Sequence, residues 1–138
     1  MLISSPGTAA GQCPQPNGND REPDTAAIQC LLDQGGTVVL DADTLYAYYI
    51  APPGLVLRTS GTTLTSTSRY GYRALLEATT DLQTPILRVE DWVSNYTISR
   101  IWFYGNKYAR RGIANCTGDQ TDNLWLRGSY FLIDDIAS

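Results

Sequence analysis

Apolar and polar positions along the chain change their period once, close to residue 35. From Asp24 to Gln34 the spacing is helical. Ala27, Ile28, Leu31 and Leu32 recur at i, i+1, i+4 and i+5 and form a single apolar stripe. Asp24, directly after Pro23, is expected to cap this helix or to lie in its first turn, and Gly35-Gly36 to end it. A helix with one apolar side must cover something.

Beyond residue 35 the period falls to two, in short runs rich in Val, Ile, Leu, Thr, Tyr and Trp and bounded by Gly, Pro, Asn, Asp or Ser. Strands are expected at Thr37–Leu40, Leu45–Ile50, Leu55–Arg58, Thr62–Thr65, Ala74–Ala78, Ile86–Glu90, Tyr96–Ser99, Ile101–Tyr104, Leu124–Arg127 and Tyr130–Asp134. Ten short strands after one helix exclude a fold of alternating strands and helices. A sandwich, a closed barrel and a solenoid remain. Internal repetition favours the solenoid. Gly61-Thr62-Thr63-Leu64-Thr65 and Asn95-Tyr96-Thr97-Ile98-Ser99 match in type at an offset of 34, and Tyr-Gly closes both segments, at Tyr70-Gly71 and Tyr104-Gly105. A second echo, at an offset of 28, aligns Asn95, Ile98 and Phe103 with Asn123, Leu126 and Phe131. Unequal offsets with matching strands suit coils joined by loops of different length, with inward residues stacking on those of the next coil.

The helix Asp24-Thr25-Ala26-Ala27-Ile28-Gln29 and the strand Gly35-Gly36-Thr37-Val38-Val39-Leu40 resemble the N-terminal part of right-handed parallel β-helix proteins of the pectate-lyase-like superfamily. So do Gly54-Leu55-Val56-Leu57 with Ser60-Gly61-Thr62-Thr63-Leu64, and the stretch from Asn95 to Asn106. The resemblance spans Asp24 to Ala137 and is specific for fold, weakly so for activity. It implies an all-β right-handed solenoid of about three to four coils with an N-terminal capping helix over 24–34, preceded by an irregular arm over 1–23. It also implies a carbohydrate-associated protein: a polysaccharide lyase, a glycoside hydrolase, or a non-catalytic binding domain, secreted or at a cell surface. Calcium is the one cofactor it brings into consideration. Two departures matter. Tyr104 stands before Gly105-Asn106 where the family often has aspartate, and Ser138 falls short of the central coils that carry the family's catalytic groups. By that comparison the chain is expected to be an N-terminal piece of a longer solenoid or a short relative.

Composition narrows the chemistry. The 138 residues carry ten basic and fourteen acidic side chains, a net charge of −4, which disfavours nucleic acid as a partner. With no histidine in the chain, Ser–His–Asp and Cys–His sites and histidine zinc ligands are excluded within it. No apolar run reaches the roughly 18 residues of a membrane span, so no membrane partner is expected. Met1-Leu2-Ile3-Ser4-Ser5 lacks the basic flank and apolar core of a secretory signal. Gly, Pro, Ser, Asn and Gln dominate residues 4–23 and predict an irregular arm. Cys13, Cys30 and Cys116 leave an odd thiol; Cys13 and Cys30 either staple the arm to the helix or remain reduced. Asn95-Tyr96-Thr97 and Asn115-Cys116-Thr117 match the N-glycosylation pattern.

Three acidic groups are candidates for acid–base work: Asp41 with Asp43, Glu90 with Asp91, and Asp134 with Asp135. Glycosidase chemistry needs two carboxylates about 5 to 9.5 Å apart. Neighbouring coils are expected to supply that spacing, if at all, from Asp91 and from Asp134 or Asp135. Solvated surface acids are the competing reading. Arg58, Arg88, Arg100 and Arg127 fall at or near strand ends on successive coils, where outward guanidinium groups bind uronate or sulfate; a solvated outer face is the plainer alternative. Among the aromatic residues Trp92, Trp102, Tyr104, Tyr108 and Trp125, either sugar stacking or packing is open for Trp102 and Tyr104, and Trp125 is expected in the core. A loop of about 17 residues after Gly105 holds the basic cluster Lys107, Arg110 and Arg111.

These readings converge on a domain that binds an acidic polysaccharide or oligosaccharide along the outer face of a parallel sheet, with metal ligands absent from the expectation. The rival is a structural or interaction module. Only the N-terminal end of the solenoid has a cap, so the coil Phe131-Leu132-Ile133-Asp134-Asp135-Ile136 is expected to associate with a second copy, a partner or further coils.

Overall fold

The structure is a computed structural model and describes residues 11–42, 47–67, 73–79, 82, 84–105 and 123–137. Among these, one helix, α1 (Thr25–Gln34), precedes ten strands: β1 (Thr37–Leu40), β2 (Ala47–Ile50), β3 (Leu55–Leu57), β4 (Thr63–Ser66) and β5 (Ala74–Ala78), then β6 (Leu87–Val89), β7 (Ser94–Ser99), β8 (Ile101–Tyr104), β9 (Leu124–Trp125) and β10 (Ser129–Asp134). They form three sheets, β1-β4-β7-β10, β2-β5-β8 and β3-β6-β9. Every pairing is parallel, and each of β1 to β7 pairs with the third strand after it. A mostly β protein of parallel sheets with one helix is consistent with a parallel β-solenoid.

Alternation within the strands explains the core. In β1 the exposed and buried positions alternate, with Val38 and Leu40 inward and Thr37 and Val39 outward. The parallel register then stacks like on like: Val38, Leu64, Ile98 and Ile133 follow one another across the first sheet. Tyr48, Leu76 and Phe103 do so in the second sheet, and Leu55, Leu87 and Leu124 in the third. Burying each large apolar side chain contributes about 1.5–3 kcal/mol.

The offset of 34 is borne out, since Thr63 pairs with Thr97 and Leu64 with Ile98. The offset of 28 is not. Ile98 pairs with Ile133 and Tyr96 with Phe131, while Leu124 pairs with Leu87. The alignment had slipped by one sheet, because strands of different sheets share the same two-residue pattern. Strand bounds moved by one or two residues, and Leu124–Arg127 shortened to Leu124–Trp125 ahead of Gly128 at φ +84°. Asp43, Tyr70-Gly71, Tyr108, the cluster Lys107, Arg110 and Arg111, and the Asn115-Cys116-Thr117 triplet lie outside the described residues.

Helix α1 packs Ala27, Ile28 and Leu32 inward. Asp24 occupies the N-cap position but its side chain makes no capping bond there, contrary to expectation. Its carboxylate instead accepts the backbone N–H groups of Asn17 (2.8 Å) and Tyr49 (3.1 Å). That choice reflects a larger task, the protection of open sheet edges. Along β2, Asn19 N–H donates to Ala47 O (2.8 Å), and Asn19 Oδ1 accepts Ala47 N–H (2.8 Å). Next to it, Thr25 Oγ1 accepts Ala51 N–H (2.8 Å). Along β3, the Gln29 amide imitates a strand, accepting from Val56 N–H and donating to Val56 O, both at 2.8 Å. A Cys13–Cys30 disulfide ties the arm to the helix. The described part of the arm, residues 11–23, is therefore pinned at Cys13, Asn17 and Asn19.

Candidate functional site

The side-by-side strands β6 and β9 build the site. Leu87 and Val89 point into the core, so Arg88 between them points out. Register places Arg88 between Val56 of β3 and Trp125 of β9 on the same outer face. Trp125 is 46% exposed, so its expected place in the core is corrected: in a two-residue strand Leu124 takes the inward position and leaves Trp125 the outward one.

Two residues on, Arg127 folds back so that its guanidinium carbon lies 4.3 Å from the Trp125 ring centroid. Its backbone is held from below. The Tyr96 hydroxyl donates to Arg127 O at 2.5 Å, and the Tyr96 ring stacks on Phe131 with centroids 5.0 Å apart. Burial pushes the Tyr96 phenol pKa up, keeping it a donor. Arg88 and Arg127 each face a carboxylate, Glu90 and Asp91 respectively, both at 3.6 Å. At that separation and exposure the pairs are screened and contribute about 0–1 kcal/mol, so an incoming anion displaces them at little cost. Arg88, Val89, Glu90, Trp125 and Arg127 enclose a recess of about 130 Å³.

Of the remaining arginines, Arg58 is engaged: its Nε and Nη2 donate to the two oxygens of Asp33, both at 2.8 Å. That contact holds the Asp33 carboxyl below its usual range and raises Arg58 further. Arg100 sits at a corner between β7 and β8 with φ +57°, its N–H donating to Asp134 O (3.2 Å). Trp102 and Tyr104 belong to the second sheet, where Tyr104 lies beside Glu77 and Glu77 beside Tyr49. Burial pushes the Glu77 carboxyl up. The six expected binding residues are thus divided, and Arg88 and Arg127 alone are brought together around one recess.

The three acidic candidates are also divided. Asp91 occupies the turn before β7, on the side where Ser129 pairs with Ser94. Asp134 pairs with Ser99 at the other end of that strand, roughly 17 Å away at 3.3 Å per residue. Asp135 is engaged by Arg73, whose Nε lies 2.9 Å from its Oδ1. Asp91 therefore does not share a cleft with Asp134 or Asp135 at glycosidase spacing.

Among the described residues, no group of three or more His, Cys, Asp or Glu side chains is placed to hold a metal ion. Calcium takes six to eight oxygen ligands, and the acids at the recess are two, each facing a guanidinium, so this site does not fit it. No helix of the described chain is long and apolar enough to cross a membrane.

Trp92, one of the candidate aromatics, is 67% exposed, and its indole N–H donates to Arg58 O at 3.4 Å. Sequence reasoning passed over Glu77, although a lone acid in the run Ala74-Leu75-Leu76-Glu77-Ala78 signals an outward position opposite Leu76. No protein-family model, curated protein or solved structure matches the chain.

Proposed function

We propose that the protein is a short right-handed parallel β-helix domain that binds an acidic polysaccharide, with the Arg88–Trp125–Arg127 recess as the anchor for one anionic sugar. The right hand follows from the general preference for right-handed crossovers between parallel strands. The observation that carries the reading is the pair of guanidinium groups flanking an exposed indole, each facing its carboxylate at 3.6 Å. A planar cation suits a uronate carboxylate or a sulfate, and an indole face suits the C–H face of a sugar ring. Binding, rather than bond cleavage, is the proposed activity, because Asp91 stands apart from Asp134 and Asp135. Membership of the pectate-lyase-like superfamily and a secreted or cell-surface location are parts of the same proposal and rest on the resemblance. Titration with polygalacturonate and with a neutral glucan of similar length tests it: saturable, salt-sensitive binding of the first alone is expected, and equal or no binding of both rejects it.

The second reading, an interaction module, draws on β10. Its Tyr130 is 83% exposed, Leu132 58% and Phe131 45%, an apolar row on a strand paired on one side by β7. Sedimentation of the full chain against Leu132→Glu separates the readings, since a module that assembles through β10 loses its association in the variant.

A further inference from the structure

At the end of the sheets farthest from β1, β2 and β3, the chain itself satisfies the edge of β8. Phe103 N–H donates to Ala137 O (2.9 Å), and Ala137 N–H donates to Ile101 O (3.1 Å). β10 is different: it has β7 on one side and, among the described residues, no strand on the other. Its backbone phase is fixed. Asp134 O accepts Arg100 N–H (3.2 Å), and alternate residues of a parallel ladder bond the same neighbour. Leu132 therefore turns its N–H and C=O to β7 as well, and Phe131 and Ile133 turn theirs to the far side. β7 has the same phase one strand earlier in the sheet, since Thr97 N–H donates back to Thr62 O (3.0 Å).

The side chains of β10 divide by face. Phe131 and Ile133 carry the inward stacks of the first sheet to its last strand: the Phe131 ring lies on buried Tyr96, and Ile133 pairs with Ile98. Leu132 alternates to the outer face and is 58% exposed, while Phe131 is 45% exposed although its side chain belongs to the core side. Charge divides by end. Arg127 precedes the strand, and Asp134 and Asp135 close it, with Asp135 leaving the strand conformation at φ +50°.

We propose that β10 pairs antiparallel with β10 of a second copy of this chain, about a two-fold axis through Leu132 and perpendicular to the sheet. The inference rests on the second reading above, assembly through β10, and adds its partner and its register. In an antiparallel ladder, two residues that exchange hydrogen bonds must both offer their groups to the shared edge. Phe131 opposite Ile133 of the second copy meets this condition twice by symmetry and gives four bonds. An axis through Phe131 gives two, and an axis through Ile133 sets Leu132 against Asp134. A perpendicular axis also keeps the core faces of both copies on one side, so Phe131 meets Ile133 on that side. The same rotation carries the Arg127 end of one strand to the Asp134–Asp135 end of the other, whereas in-register parallel pairing sets Asp134 beside Asp134. At the axis Leu132 faces Leu132 of the second copy as a non-hydrogen-bonded pair, with Cα atoms about 4.5 Å apart. Both edges are consumed, so the assembly closes as a dimer.

Sedimentation equilibrium of the full chain, of Leu132→Glu, of Leu132→Lys and of an equal mixture of the two variants tests it. The native chain is expected to form a dimer and nothing larger. Each variant alone is expected to associate about tenfold or more weakly, because like charges meet at the axis, and the mixture is expected to recover the dimer. Cross-linking reads the register directly, in a Cys116→Ser background that removes the odd thiol. Leu132→Cys is expected to link two copies on oxidation. Asp134→Cys is not, since the two Asp134 positions lie four residues apart, about 14 Å at 3.4 Å per residue. Leu132 and Asp134 are both exposed, so an unchanged melting temperature serves as the control for folding. A native chain that stays monomeric overturns the proposal together with the second reading. Association that Leu132→Glu abolishes and mixing with Leu132→Lys does not restore overturns the two-fold pairing alone and leaves assembly through β10 standing. Cross-linking through Asp134→Cys in place of Leu132→Cys, or growth beyond a dimer, does the same.

Discussion

The guanidinium carbon of Arg127 lies 4.3 Å from the Trp125 ring centroid, while the Tyr96 hydroxyl holds the Arg127 carbonyl from the core side. The pair thus presents a flat cation and a flat ring together, from a backbone that is fixed. Arg127→Ala is expected to weaken binding of an anionic glycan by about 10- to 100-fold, as loss of a charge-assisted contact does, with little change in melting temperature. Arg127→Lys keeps the charge but not the planar fork and is expected to fall between. Calorimetric titration at two salt concentrations checks both, and a lysine variant equal to the native chain removes the stacked geometry from the account.

Tyr96→Phe separates support from contact. It deletes the part-buried bond to Arg127 O, at a cost of about 0.5–1.5 kcal/mol. The melting temperature is expected to fall and the glycan affinity with it, since the ring stack on Phe131 remains but Arg127 loses its anchor. Denaturant unfolding alongside the titration measures both.

Asp24 gives the chain a pH-dependent term. Burial raises its carboxyl above the ordinary value of 3.8, while the bonds from Asn17 and Tyr49 N–H oppose that rise. Between 3.8 and the raised value the folded state holds the proton more tightly than the unfolded one, so this contribution falls as pH rises through that window. Asp33 has the opposite sign. Its carboxyl, lowered by Arg58, contributes stability that is lost as pH falls. Because Asp24→Asn keeps Asp33, the stability of the native chain relative to that variant is expected to shrink as pH rises from below 3.8. A difference that grows over the same range counts against the assignment.

Gly128 leaves no room for a side chain. At φ +84° an added Cβ would lie 2.0 Å from Val93 O, and the next residue, Ser129, donates its N–H to the same carbonyl at 3.1 Å. Gly128→Ala is expected to cost at least about 2 kcal/mol and to displace β10. Chemical denaturation reads the first effect, and loss of Tyr96–Phe131 contacts in NMR reads the second.

Removing the Cys13–Cys30 bridge is expected to cost about 3 kcal/mol, in line with its separation of 17 residues. The Cys13→Ser, Cys30→Ser double variant should also speed hydrogen exchange at Asn17 while leaving Leu64 and Ile98 protected. Uniform loss of protection would show that the arm and the sheets unfold as one unit.

What the sequence by itself determined was local. Helix α1 follows from four apolar residues on one stripe, and the strands follow from alternation over four to six residues, because both patterns repeat within the reach of one element. The offset of 34 was also legible, since Leu64 and Ile98 sit in segments alike enough to align. The register of β10 was not. Strands of all three sheets share one pattern, and only packing decides that Ile133, rather than Leu126, lies on Ile98. The site shows the same limit. Arg88 and Arg127 were visible as strand-end cations, but their convergence depends on β9 lying beside β6 and on Arg127 turning back over Trp125. Gln29 and Asp24 looked like ordinary helix residues, and tertiary structure made them partners of Val56 and Tyr49. Periodicity fixes which side of an element is apolar; which two elements meet, and which polar groups must then satisfy an open edge, is settled only when the chain closes on itself.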